Sequence, residues 1–144
     1  MAICWFLPTE EWKHINWGYA SLTKSGHSIP DLNYADEDKR TYYQLYHYLA
    51  TGLGNWNTLE GKNVLELRSG GGGGINYVAQ KLNPDNCIGV DISSTQSKFC
   101  QKAYSKIPKL SFYTAVCMIF WMNLISDRIL LMLLQEFQNW LIKE

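Results

Sequence analysis

The sequence predicts an α/β fold, a parallel sheet with flanking helices, and three observations carry that prediction. Between residues 62 and 114, short apolar runs alternate with amphipathic segments, the order expected of strands joined by right-handed helical crossovers. Five consecutive glycines, 70–74, stand between the first apolar run and the amphipathic segment that follows it. Asp91 closes the second apolar run, about 20 residues beyond the glycines.

The elements follow in order. Residues 1–35 are irregular and rich in Trp, Tyr, Gly and Pro, and read as an N-terminal arm or lid. A helix is expected next, with Asp36, Glu37 and Asp38 at its start, where the helix dipole favours negative charge. Tyr42, Leu45, Tyr46 and Leu49 recur at i, i+3, i+4 and i+7, and Gly52 supplies a stop. A turn-rich connection, GNWNTLEGK, leads to the strand-like run VLEL at 64–67. Beyond the glycines, Ile75, Val78, Ala79 and Leu82 mark a helix that Asn83-Pro84 ends. CIGVD (87–91) reads as a second strand, and Ser93 or Ser94 can cap the next helix. Its expected inner stripe is Phe99, Cys100, Ala103 and Ile107, and Pro108 closes it. LSFYT (110–114) reads as a third strand. AVCMIFWM (115–122) fits a strand or a buried helix segment. From Ser126 or Asp127 onward, Leu130, Leu133, Leu134, Phe137 and Leu141 predict a helix with an apolar face. No internal repeat is visible. The chain divides into an arm and helix (1–60), a central α/β unit (61–115) and an apolar C-terminal segment (116–144).

At 144 residues the chain has the size of one domain. Lys plus Arg and Asp plus Glu number 13 each, a balance that leaves no electrostatic footprint for nucleic acid or anionic lipid. Cys4, Cys87, Cys100 and Cys117 form no CxxC pair, and no Cys/His set has metal-ligand spacing. Isolated cysteines with apolar neighbours suit the core of a cytoplasmic protein. The N-terminus lacks the positive region and long apolar stretch of a signal peptide. Residues 116–134 approach membrane-spanning length. Asn123, Ser126, Asp127 and Arg128 interrupt them, and each charge there costs about 2.5–3.5 kcal/mol on insertion. No stable span is expected.

The glycine run is placed as a site rather than a linker, because a strand and an amphipathic helix clamp it and no Ser-rich sequence continues it. In an open parallel sheet, ligands bind beyond the carboxyl ends of the strands, where this loop lies. Asp91 has the spacing of a carboxylate that accepts from ribose hydroxyls, although a helix-capping or turn role would also place an acid there. The glycines lack a following Gly-Lys-Ser/Thr, so a phosphate-binding P-loop is not expected. A dinucleotide site stays open. Glu66, on the first strand, favours another ligand: a carboxylate accepts from an ammonium group and repels a pyrophosphate. A cationic nucleoside bearing an amino acid fits that charge.

Residues 63–114, NVLELRSGGGGGINYVAQKLNPDNCIGVDISSTQSKFCQKAYSKIPKLSFYT, resemble the cofactor half of class I S-adenosylmethionine-dependent methyltransferases. The likeness is to the small-molecule and lipid-type branch that includes sterol, quinone and phthiotriolone methyltransferases. NWGYA (16–20) and LNYADEDKRTYYQLYHYLA (32–50) also look like that branch's N-terminal region. The resemblance implies a partial Rossmann-like methyltransferase fold, S-adenosylmethionine as cofactor and a small-molecule or lipid-like methyl acceptor. Carried over by position, Glu66 opens the cofactor motif, Gly70, Gly71 and Gly72 form its glycine turn, Asp91 takes the ribose-binding place, and Ile92 lies beside the adenine. Trp17, Gly18 and Tyr19 would sit in a lid at the substrate mouth. No catalytic residue is assigned; His14, His27 and His47 are candidates by residue type alone.

Two departures stand out. Arg68 occupies a position where the family has glycine, so a positive backbone angle or an intruding side chain is expected there. After Thr114 the likeness ends, and Val116 holds the place of an acidic residue that contacts the adenine amino group. The family's C-terminal half is thus expected to be missing or replaced, with residues 116–121 pairing as a substitute strand on the open edge of the first strand. An incomplete sheet would also invite self-association. The competing expectation is a non-catalytic remnant that binds an adenosine-type ligand or a protein partner.

Overall fold

The computed structural model describes residues 18–19, 34–52, 57–116 and 129–133. A short 3-10 turn, Tyr34–Lys39, runs into helix α1 (Arg40–Gly52). Strand β1 (Asn63–Leu67), helix α2 (Gly73–Lys81), strand β2 (Asn86–Asp91), helix α3 (Ser94–Ala103) and strand β3 (Leu110–Thr114) then alternate as the sequence predicts. Strand β4 (Ile129–Leu133) completes the described elements. The sheet order is β3-β2-β1-β4, and all three pairings are parallel.

The alternation of side chains along a strand decides what each face meets. Val64 on β1, Cys87 on β2, and Leu110 and Phe112 on β3 point to the helical side. There they pack with Ile75 and Val78 of α2 and Cys100 of α3 in one buried cluster. Leu65, Leu67 and Val90 point to the opposite face and are buried as well. That two-sided burial is why VLEL reads as a continuous apolar run rather than an alternating one. Its one acid, Glu66, shares the helical face with Val64.

Tyrosines fill the seam between α1 and α2. Tyr43 stacks on Tyr77 with centroids 5.0 Å apart, and His47 Nδ1 lies 3.0 Å from the Tyr77 hydroxyl. Burial raises the Tyr77 phenol well above its ordinary value, so it stays protonated as a hydrogen-bonding group. Among the tyrosines foreseen on the α1 stripe, Tyr46 is the one driven into the core, at 3% exposure.

Three expectations change. The C-terminal helix from Ser126 or Asp127 is contradicted where the chain is described: Ile129–Leu133 is a strand, paired with β1 from Asn63↔Ile129 to Leu67↔Leu133. A run of consecutive apolar residues satisfies strand and helix patterns alike, and pairing with the bare edge of β1 decides between them. The substitute strand therefore forms, but not from the segment expected. Val116 lies beyond the end of β3 outside any strand, and 117–121 fall outside the described residues. Of the stripe expected on α3, Cys100 is in the core and Phe99 and Ile107 pack against it, but Ala103 is exposed; Ser93, Gln96, Ser97 and Tyr104 are buried as well. The cap was expected at Ser93 or Ser94 and is Ser93, whose Oγ accepts from Gln96 N at 3.3 Å.

Gly74 shows how tightly α1, α2 and β1 meet. A Cβ built there would lie 2.5 Å from Tyr46 Cε1 and 2.5 Å from Glu66 Oε1. Replacing glycine by alanine in a helix ordinarily gains about 1 kcal/mol, while overpacking a closed core costs about 1–3 kcal/mol. Tyr46 and Glu66 are both buried, so neither side chain can swing away cheaply. Gly74→Ala is expected to lower unfolding free energy by about 1–2 kcal/mol in urea titration. Unchanged or increased stability would show that the three elements can separate there.

Candidate functional site

The site is the loop from Arg68 to Gly72 together with the residues that hold it. At the end of β1 the chain leaves the sheet, and Ser69 N donates to Val90 O at 3.0 Å, tying the loop to the neighbouring strand. Gly72 N donates to Ser69 O at 2.8 Å and closes a tight turn. Gly72 caps α2 in the left-handed conformation, with φ 76°. A Cβ at Gly72 would also meet the Phe112 ring at 2.8 Å and Tyr104 at 2.9 Å. Both backbone angle and space thus require glycine at this point, as a ligand-shaped turn would but a linker would not.

Arg68 carries the expected consequence of its position. Its φ is 61°, one of two positive values among the described non-glycine residues, the other being Asn83. For a residue with a Cβ this region costs roughly 1–2 kcal/mol. Arg68 itself is exposed.

Two carboxylates bracket the glycines. Asp91, at the carboxyl end of β2, accepts from Gly70 N at 2.9 Å through Oδ2 and from Ser93 N at 2.8 Å through Oδ1. It is half-buried and, as an ionised carboxylate, has about four acceptor positions, so these two bonds do not saturate it. Both roles weighed from sequence remain compatible with that geometry: Asp91 stabilises the turn into α3 and also faces the loop. Glu66 is 1% exposed, and its Oε2 accepts from Ile75 N at 3.0 Å, in the first turn of α2. Burial pushes its carboxyl up to about 8; the Ile75 N–H opposes that shift and the nearby Asp91 charge adds to it. Cys87, deeper on the same face, is pushed up to about 12, mainly by burial, and stays a thiol.

The remaining expected positions divide. Ile92 follows Asp91 directly and is 60% exposed, an apolar side chain set beside the bracketing carboxylate. Tyr19 stacks on Tyr48 of α1 with centroids 5.0 Å apart, and its N–H donates to Thr41 O at 2.8 Å. It thus docks on α1 and is not among the side chains that hold the loop. Trp17, His14 and His27 lie outside the described residues. His47 belongs to the tyrosine seam. Val116 is exposed just past β3. Sequence reasoning missed Tyr104 and Phe112, which form the wall against Gly72. The signal for Tyr104 was its spacing of four from Cys100, which puts both on one helical face.

No protein-family model matches the chain. It is 36% identical over 106 residues to the phthiotriol/phenolphthiotriol dimycocerosates methyltransferase of Mycobacterium leprae (strain TN), covering 74% of this chain and 36% of that protein. It is also 36% identical over 91 residues to the fatty-acid O-methyltransferase of Mycolicibacterium smegmatis (strain ATCC 700084 / mc(2)155), covering 63% of this chain and 31% of that one. The chain thus spans little more than a third of the first relative's length. Among solved structures, coclaurine N-methyltransferase bound to N-methylheliamine and SAH superposes with a TM-score of 0.52 at 22% identity, over 73% of this chain and 30% of that one. In sequence the chain is similar to lipid-type methyltransferases, and in fold it matches part of the Rossmann-like fold of S-adenosylmethionine-dependent methyltransferases. Among the described residues no helix is long and apolar enough to cross a membrane, and no group of three His, Cys, Asp or Glu could hold a metal ion.

Two outcomes follow from the site's energetics. Because the folded state raises the Glu66 pKa from 4.5 to about 8, its contribution to stability is complete below about 4.5 and is lost as pH rises through about 8. Glu66→Gln keeps an acceptor for Ile75 N and removes the titration. Relative to the parent chain, it is expected to gain more than about 1 kcal/mol between pH 5 and pH 9 in denaturant titrations. Parallel pH profiles for the two proteins would contradict the buried, proton-holding carboxyl. Arg68→Gly relieves the positive φ and is expected to stabilise the chain by about 1 kcal/mol by thermal or urea unfolding. A loss of stability would mean that the arginine side chain contributes more than its backbone costs.

Proposed function

We propose that this chain binds S-adenosylmethionine at the glycine loop and forms the cofactor half of a methyltransferase acting on a small-molecule or lipid-like acceptor. The observation that carries the reading is the pair of carboxylates, Glu66 and Asp91, bonded to the two ends of the glycine loop at the carboxyl ends of adjacent parallel strands. The relatives' names, a phthiotriol/phenolphthiotriol dimycocerosates methyltransferase and a fatty-acid O-methyltransferase, support the lipid-like acceptor class.

The residues fit the cofactor part by part. Asp91 has acceptor capacity left for ribose hydroxyls, and exposed Ile92 offers an apolar surface for the adenine. Gly70 and Gly71 let the backbone approach the ligand without a side chain between, and Gly72 turns the chain into α2 where Phe112 and Tyr104 leave no room for a Cβ. Glu66 lies beneath the start of α2, where its buried carboxyl accepts from Ile75 N and holds the helix that follows the loop in place, rather than meeting the ligand by open contact. When bound, S-adenosylmethionine supplies an electrophilic methyl group on a sulfonium. The chain's part is to bind, orient and exclude water, which accounts for most of what proteins contribute to cofactor chemistry. No proton-accepting residue is assigned.

Tyr19, with Trp17 before it, belongs to the acceptor side in this reading, carried on α1 by the residue 1–60 unit. Residues 61–115 form the cofactor unit, and 116–144 the divergent apolar segment that contributes β4. The proposal also includes a cytoplasmic setting and self-association.

Calorimetry on the whole chain tests the reading. S-adenosylmethionine and its demethylated product should each give saturable heat at one site, and Asp91→Asn should weaken both by about tenfold, the loss of charge-assisted bonds. No heat and no thermal shift at about millimolar ligand, a concentration that detects even about 4 kcal/mol of binding, would overturn it. Binding without methyl transfer to any lipid or small-molecule acceptor would leave an adenosine-binding module as the better description.

A further inference from the structure

The carbonyls of the glycine loop are held by helix α3. Cys100 Sγ donates to Gly70 O at 3.3 Å, and the Tyr104 hydroxyl donates to Gly71 O at 3.1 Å. These are consecutive peptide groups. A trans peptide is planar, so its C=O and the next residue's N–H point in opposite directions. A carbonyl drawn toward α3 therefore turns the following N–H away from it. The Cys100 bond sets the Gly71 N–H in this way. The Tyr104 bond sets the Gly72 N–H, which donates to Ser69 O. A thiol is a weak donor, so the phenol is the stronger of the two restraints.

The Tyr104 ring does not need its hydroxyl to stay in place. It is 7% exposed and stacks on Phe112 with centroids 5.6 Å apart. Phe112 in turn fills the space that a Cβ would need at Gly72 and at Gly89. Phenylalanine at 104 would pack in the same way. A buried hydroxyl is unfavourable unless bonded, and here its partner lies in the segment with the greatest backbone freedom in the chain.

We infer that Tyr104 is a positioning residue, whose hydroxyl fixes the peptide orientations of the glycine loop so that the loop presents a preset surface to its ligand. The inference rests on the reading of that loop as the S-adenosylmethionine site. It assigns to α3 a part in ligand binding that the glycine motif itself does not contain. Preset loops bind more tightly because the ordering cost is met before the ligand arrives.

The test compares the whole chain with Tyr104→Phe and, as a control, Tyr77→Phe, which removes a buried hydroxyl bond in the tyrosine seam instead. Amide hydrogen exchange is read without ligand, and calorimetry is read with S-adenosylmethionine. Tyr104→Phe should speed exchange in 69–74 by about fivefold and weaken cofactor binding by a similar factor, the scale of one hydrogen bond. Its melting temperature should stay within about 2–4 °C of the parent, a shift of at most 1 kcal/mol in a chain of this size. Tyr77→Phe should lower the melting temperature without changing exchange in 69–74. Unaltered loop exchange in Tyr104→Phe, or faster exchange spread evenly over all elements, would overturn the inference and leave Tyr104 a packing residue. If the parent chain binds no cofactor at all, the functional reading falls, and the exchange measurement still decides whether the hydroxyl holds the loop.

Discussion

The glycine loop exists in its observed shape because a carboxylate holds each end of it. Asp91 takes the Gly70 N–H, and Glu66 takes the Ile75 N–H. Both acids stand on strands that lie side by side, with Glu66 paired in register to Gly89, two residues before Asp91. Five glycines in a row would otherwise lose more conformational entropy on ordering than any other five residues. The bonds to charged or strongly polar acceptors offset part of that cost, and the first turn of α2 is the beneficiary. Its opening amides have no partners within the helix, and Glu66 supplies one from below. The cost is a carboxyl sealed in the core, raised to about 8, so at neutral pH the acid holds its proton for most of the time.

This constraint also explains the shape of the surrounding core. Gly74 is bare, and the Tyr46 ring and Glu66 carboxyl both crowd the place its Cβ would take. Gly72 is bare, and Phe112 and Tyr104 close over it. The run is therefore not one feature but at least two close approaches and a left-handed cap. Arg68 shows the converse. It accepts a positive φ because Ser69 N must reach Val90 O immediately after the strand ends, leaving the backbone little choice of direction.

The central α/β unit was legible because its signals are local. Apolar periods, the Asn83-Pro84 stop and the Ser93 cap each act within a few residues, and the Glu66 and Asp91 positions follow from where strands end. What escaped depends on contacts between distant segments. Tyr104 and Phe112 look like ordinary core aromatics until α3 is laid against the glycine loop. Ala103, a good helix former, was credited with a core position that the helix turns toward solvent. The strand at Ile129–Leu133 was unreadable for a different reason: five apolar residues inside a longer apolar stretch carry no period at all. Only the unfilled edge of β1 distinguishes the two conformations, and an edge is a property of the sheet.

That edge matters for the site as well as for the fold. β1 carries Glu66 and delivers the chain into the glycine loop. Were β1 an outer strand, its free N–H and C=O groups would be open to water or to another chain, and the end of the strand would fray. Pairing with β4 along all five residues makes β1 an interior strand, hydrogen-bonded on both sides. Beyond Thr114, where the family likeness is expected from sequence to end, the chain still supplies what the loop requires most from that side: a strand that keeps β1 fixed while Glu66 and Asp91 hold the glycines.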